Sequence, residues 1–138
     1  MKIKIFALTH KKFEVPQDKM YQPLQVGREE KEDLGYLCDN TGDNISAENC
    51  YYSELTGLYW IWKNVHTYKY VGTCHYRRYL LNEQEKIFTE AEYLELLKDY
   101  DLITTKRVVL NNSYHYGFAT NHNIHALDMT GEVIKELY

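Results

Sequence analysis

The chain opens with Lys2-Ile3-Lys4-Ile5-Phe6-Ala7-Leu8, an alternation that becomes an apolar run. This pattern predicts a strand buried on at least part of both faces. Polar Thr9-His10-Lys11-Lys12 follows it. Pro16 and Pro23 punctuate the next stretch, and Leu24-Gln25-Val26 predicts a very short second strand ending at Gly27. Residues 28–45 are acidic and then rich in Gly, Asn and Asp, with Asp39-Asn40-Thr41-Gly42-Asp43-Asn44 dense in turn formers. Loops this long inside a domain tend to be functional or disordered. Ser46 then suits a helix cap, with Glu48 opposing the macrodipole in the first turn. Tyr51, Leu55, Leu58, Trp62 and Val65 form an apolar stripe at helical spacing, which predicts a helix over residues 47–64.

Lys69-Tyr70-Val71-Gly72-Thr73-Cys74 predicts another strand, running into His75-Tyr76-Arg77-Arg78-Tyr79. Thr89 and Glu92 have capping-box spacing, placing a helix over residues 90–98, and Leu102-Ile103-Thr104-Thr105 reads as a further strand. From about Asn121, the residues Ile124, Leu127, Ile134 and Leu137 recur at helical spacing; Gly131 is expected to break that helix, with Thr130 capping a second segment. Strands alternating with helices imply an α/β fold with a mainly parallel sheet, as a single domain over residues 1–138. Ligands of such sheets bind beyond the carboxyl ends of the strands. The residues falling there are Thr9, His10 and Lys11, then His75, Arg77 and Arg78, then Thr105, Lys106 and Arg107. Three basic clusters are thus expected to converge on one edge, where an anion should bind.

Composition narrows the classes. The chain has 138 residues, 44% hydrophobic and 26% charged, with a formal net charge of −4. Without a clustered basic surface it is not expected to bind nucleic acid. No apolar run approaches about 18 residues, the length of a membrane span, and no signal peptide is evident. Three cysteines without metal-site spacing fit a reduced compartment, so the expectation is a cytoplasmic protein, with peripheral attachment at the inner face of a membrane left open. Tyrosine is the outlier at 14 residues, a composition suited to sugar- or base-facing clefts and equally to roofing a small core.

If residues 72–79 stay extended, His75, Arg77 and Tyr79 share one face while Tyr76 and Arg78 share the other. Guanidinium forks suit phosphate oxygens, although two Arg–carboxylate pairs among stacked tyrosines would suit the pattern as well. The Thr41–Ser46 segment offers helix-terminal amides to an anion, and Asp43 and Asn44 to ribose or sugar hydroxyls; a plain capped turn is the alternative. Glu54 lies off the apolar stripe and could reach the cleft. Asp99-Tyr100-Asp101 spells D-x-D, a metal-binding pattern of many glycosyltransferases. It precedes the predicted strand at 102–105, which puts it at the wrong end of the sheet, and two carboxylates fall short of a coordination shell. His122 and His125, three apart, and His115 lack a partner at metal-site spacing, so no metal ligand is assigned. P-loop, GxGxxG and GxSxG motifs are missing from the sequence.

Five blocks occur in order: Ile5-Phe6-Ala7-Leu8-Thr9-His10-Lys11, the segment Tyr21–Gly27, Thr41-Gly42-Asp43-Asn44-Ile45-Ser46, the segment Tyr52–Asn64, and Gly72-Thr73-Cys74-His75-Tyr76-Arg77-Arg78-Tyr79. Together, and over nearly the whole chain, they resemble the capsular-polysaccharide-synthesis family of glycosyltransferases, long labelled a domain of unknown function. The resemblance implies a Rossmann-like, nucleotide-diphospho-sugar transferase-like domain, with some members similar to galactofuranosyl transferases. It implies Thr9, His10 and Lys11 near the nucleotide, Asp43 and Asn44 near ribose or sugar, and His75, Arg77 and Arg78 near the diphosphate. The implied reaction moves a hexosyl group from a UDP-sugar, UDP-galactofuranose included, to a saccharide acceptor, free or lipid-linked, with Asp43 and Glu54 as candidate bases. Membrane-bound polysaccharide-assembly machinery is an implied partner, and manganese or magnesium is an allowed cofactor. The family continues for roughly another hundred residues, in keeping with a domain of about 250, and its Arg and Glu-Arg-Leu region is not found here. The expectation is therefore a C-terminally incomplete domain, with a truncated, non-catalytic nucleotide- or partner-binding module as the alternative.

Overall fold

Four strands, β1 (Ile3–Thr9), β2 (Tyr21–Gln25), β3 (Leu37–Cys38) and β4 (Tyr70–His75), form one sheet in the order β3-β2-β1-β4. Every pairing is parallel, with Ile5 opposite Tyr21, Ile3 opposite Tyr70, and Leu24 opposite Leu37. This computed structural model describes residues 1–138 apart from the side chain of Glu30. The chain divides into two units, residues 1–103, which hold the sheet, and residues 104–138.

β1 lies between β2 and β4, so both of its edges are paired, and its side chains are buried on both faces of the sheet, as its apolar run predicts. Alternate residues feed two cores. Phe6 and Leu8 pack with Leu24, Val26, Trp60 and Ile61, while Ile3 and Ile5 pack with Met20, Tyr21 and Tyr93. The α/β, Rossmann-like architecture is therefore the one the sequence implies. The second strand is longer than Leu24–Val26 suggests and takes in Pro23, and the acidic stretch at 28–45 contains the short edge strand β3.

The helix expected over 47–64 is not continuous. A 3-10 turn at Ser46–Glu48 leads into α1 (Asn49–Tyr52), and Ser53 breaks the run with φ 48° before α2 (Leu55–Asn64) begins. The break re-phases the helix. Thr56, Gly57, Trp60 and Ile61 face the sheet, whereas Tyr51, Leu55, Leu58 and Trp62 of the expected apolar stripe are exposed. Of that stripe only Val65 packs against the core. Close approach explains the choice of small residues: a Cβ on Gly57 would lie 2.7 Å from Val26 and 2.9 Å from Leu8. One turn on, Trp60 meets Phe6 edge-to-face at 6.4 Å.

α3 (Glu90–Leu96) starts at the predicted capping box, with Thr89 and Glu92 each bonding the other's backbone. Its Glu90 carboxylate accepts the Lys2 and Ile3 amides at 2.6 and 3.2 Å, and Tyr93 is buried beneath β1 and β2. The strand expected at 102–105 does not form. Ile103 packs on the second core cluster, but Leu102, Thr104 and Thr105 are exposed, so the segment has no apolar face to dock and the sheet ends at β4.

The second unit holds α4 (Tyr114–Ala119), which the sequence pattern did not reveal, and α5 (Ile124–Leu137). Asn123 caps α5, and the helix continues through Gly131 with no second segment capped by Thr130. A lone interior glycine costs about 1 kcal/mol, too little to interrupt the ladder. Among the described residues, no helix is long and apolar enough to cross a membrane.

Candidate functional site

The carboxyl ends of β1 and β4 stand side by side, with Leu8 opposite His75 and the Tyr76 amide donating to the Leu8 carbonyl at 3.1 Å. The extended reading of residues 72–79 stops at this point. His75 to Arg78 form a tight turn closed by the Arg78 amide on the His75 carbonyl at 2.8 Å, which puts Tyr76 and Arg77 at its corner. The Tyr76 ring is buried at 5% exposure and gathers its neighbours from both strand ends. Lys11 Nζ lies 5.7 Å and Arg77 Cζ 5.1 Å from its centroid, while His10 meets it edge-on at 5.6 Å. His75 stacks obliquely at 4.3 Å and Phe13 at 5.6 Å. Two of the three expected basic clusters thus meet around one aromatic ring, an arrangement that cation–π attraction favours.

Thr9 sits beneath this group rather than in it. Its buried hydroxyl bonds the Lys11 carbonyl and accepts the Lys11 amide at 3.1 Å, which fastens the turn that presents His10 and Lys11. His75 Nδ1 accepts the Arg77 amide at 3.2 Å, so in the neutral ring the proton resides on Nε2, which lies 3.4 Å from the Glu54 carboxylate. Burial pulls the His75 imidazole below its ordinary value, Glu54 opposes that shift, and Arg77, Arg78 and His10 add to it. Glu54 precedes α2 and is exposed, placing a carboxylate beside the basic rim.

Asp39, which the sequence reading treated as an ordinary turn former, is the buried organiser of the same edge. It follows β3 with no exposed surface and accepts four bonds, from the Gly27 and Arg28 amides at 2.8 and 3.1 Å and the Ser46 and Thr56 hydroxyls at 2.6 and 2.7 Å. It thereby joins the end of β2 to the entry of α2. Gly27 at φ 64° just after a strand is the sequence-visible sign that a backbone turn there needs such a partner.

Asp43 and Asn44 belong to a different place. Asp43 accepts from the Tyr59 hydroxyl at 3.0 Å, lies 3.8 Å from Lys63, and exchanges backbone bonds with the Asn64 side chain. α2 runs against the strands, so Asn64 is about 15 Å along the axis from Glu54, and Asp43 is not brought to the rim. Asn44 bonds the Gly42 carbonyl and the Ser46 amide, closing its own turn. Arg78 is exposed at the foot of the His75 turn. Thr105, Lys106 and Arg107 follow no strand and belong to the second unit.

Asp99 and Asp101 are exposed just past α3. His115 lies 3.3 Å from Asp128, His122 stacks on Phe118 at 4.8 Å, and the His125 amide donates the cap bond to the Asn123 side-chain oxygen. Among the described residues, no three His, Cys, Asp or Glu side chains converge as a metal site.

A parallel sheet with cations gathered beyond the carboxyl ends of adjacent strands is the layout of α/β proteins that bind anionic ligands. The chain matches the family described as a domain of unknown function, DUF4422, over residues 4–138, and belongs to that family. It is also similar to the apo structure of the bifunctional glycosyltransferase WbbM, at 42% identity and a TM-score of 0.55 over 58% of this chain. The match spans 14% of the WbbM chain, and on this likeness the chain is a glycosyltransferase-like domain. No curated protein matches it.

Proposed function

We propose that this chain binds the nucleotide-sugar donor of a glycosyltransferase, with the donor pyrophosphate at the rim formed by His10, Lys11, His75, Arg77 and Arg78. One observation carries the reading: Lys11 and Arg77, from the ends of two adjacent parallel strands, lie within 5.7 Å of the centre of a single tyrosine ring. Departure of a nucleoside diphosphate leaves negative charge on the β-phosphate, and cations already in place stabilise it without reorganising. Glu54, beside His75 on the same rim, is the carboxylate this reading assigns as base toward an acceptor hydroxyl. The donor class is a UDP-hexose, UDP-galactofuranose among the candidates. The acceptor is a growing capsular or surface saccharide, free or lipid-linked, used in the cytoplasm or at the inner face of a membrane.

Calorimetry with UDP and UDP-hexoses tests the proposal. Arg77→Ala and Lys11→Ala should each weaken binding about tenfold, the effect of losing one charge-assisted contact. Wild-type affinity in Arg77→Ala, Arg78→Ala and Lys11→Ala alike would end the assignment. A melting screen against UDP-, GDP-, CMP- and dTDP-sugars, with and without manganese, ranks the donors, because a ligand of the native state must raise its stability.

The exposed Leu55, Leu58 and Trp62 along α2 favour a second reading, a non-catalytic module that binds nucleotide or a partner protein. Slow hydrolysis of a donor sugar separates the two, since only an enzyme produces it.

A further inference from the structure

The Tyr76 hydroxyl is buried, and among the described residues it is the one buried side-chain polar atom without a hydrogen-bond partner. Other tyrosines do not share this state. Tyr21 donates to the Phe88 carbonyl at 3.0 Å, Tyr36 to the Phe13 carbonyl at 3.3 Å, Tyr79 to the Tyr76 carbonyl at 3.1 Å, and Tyr59 to Asp43 at 3.0 Å. Buried polar groups are almost always satisfied, so an idle donor in this position disfavours the ligand-free fold and calls for a reason.

The surroundings supply one. Lys11 and Arg77, the charged groups over the ring, are donors with no lone pair to offer. The Nδ1 lone pair of His75 is already taken by the Arg77 amide, and its Nε2 faces Glu54. The hydroxyl itself has no acceptor, although the Glu54 carboxylate stands at His75 Nε2, and an anionic oxygen of a ligand would serve it.

We propose that Tyr76 is a ligand-binding residue whose hydroxyl donates to a pyrophosphate oxygen of the bound nucleotide. This rests on the donor-site reading above and adds to it a neutral donor that sequence spacing placed on the opposite face from Arg77. The hydroxyl is closed to solvent, so binding includes a small opening around the ring.

Tyr76→Phe tests the idea, because it keeps the ring and removes only the oxygen. Titrations would use UDP, inorganic pyrophosphate and uridine as probes, with melting temperature measured alongside. The expected result is an unchanged or higher melting temperature, UDP and pyrophosphate binding weakened about tenfold, and uridine binding unchanged. Wild-type affinity for UDP and pyrophosphate in Tyr76→Phe, with Arg77→Ala still impaired, overturns the tyrosine assignment and leaves the donor site standing. An equal loss for uridine shows general damage and also overturns it. If the unaltered protein binds neither UDP nor pyrophosphate, the donor-site reading falls and this inference falls with it.

Discussion

The Thr56 hydroxyl donates to the buried Asp39 carboxylate at 2.7 Å, tying the first turn of α2 to the loop after β3. Three other donors converge on the same carboxylate, so its negative charge is spread over four bonds. Thr56→Val keeps the side-chain shape and should cost about 1.5–3 kcal/mol, the usual worth of a bond to a charged group. Asp39→Ala strands all four donors and should cost on the order of 3 kcal/mol or more in urea denaturation. Asp39→Asn should destabilise too, since its amide turns N–H groups toward donors.

His75 should titrate below the ordinary imidazole value in histidine NMR, because burial and the cations around it disfavour the charged ring. Glu54 is the influence holding it up, so Glu54→Gln should move the midpoint lower still. The sign for stability follows. The folded ring resists a proton that the unfolded ring takes up at about pH 6.5, so this contribution is present above that pH. It declines as pH falls from there to the folded midpoint. A midpoint that rises in Glu54→Gln would contradict the assigned pairing.

Two helical glycines should respond to alanine with opposite signs. Gly57→Ala drives a methyl to 2.7 Å from Val26 and 2.9 Å from Leu8, and should destabilise by about 1–3 kcal/mol. Gly131→Ala meets nothing within 4 Å inside α5 and should stabilise that helix by up to about 1 kcal/mol. Thermal melts followed by circular dichroism distinguish the two.

Trp60 and Trp62 are two positions apart and differ in the same way. Trp60→Ala removes a buried ring bonded through its indole N–H to the Thr41 carbonyl at 2.9 Å, and should cost about 3–5 kcal/mol. Trp62 is 67% exposed, and Trp62→Ala should change stability by no more than about 0.5 kcal/mol. The reverse ranking would restore the helical phase that periodicity suggests.

That phase marks where the sequence stops being legible. The spacing of Tyr51, Leu55, Leu58 and Trp62 describes a straight helix, but Ser53 at φ 48° leaves no continuous helix for the stripe to run along. The face that docks is chosen by closeness, through Thr56 and Gly57, and no hydrophobicity pattern scores a glycine as core. β1, β4 and the Thr89–Glu92 capping box were readable because each depends on local pattern alone. At the site, strand ends told which residues gather, and His10, Lys11, His75 and Arg77 do gather. The turn at His75–Arg78 was hidden, and with it the central place of Tyr76. Thr105, Lys106 and Arg107 were tied to a strand whose apolar content, Leu102 and Ile103, is too short to hold one.

The central position of β1 bears on how the chain is made. Ile5 must wait for Gly72 before its second edge is paired, and Leu8 for His75. At ribosomal speeds that interval is roughly several seconds, during which an apolar segment with one bare edge is held by β2 alone.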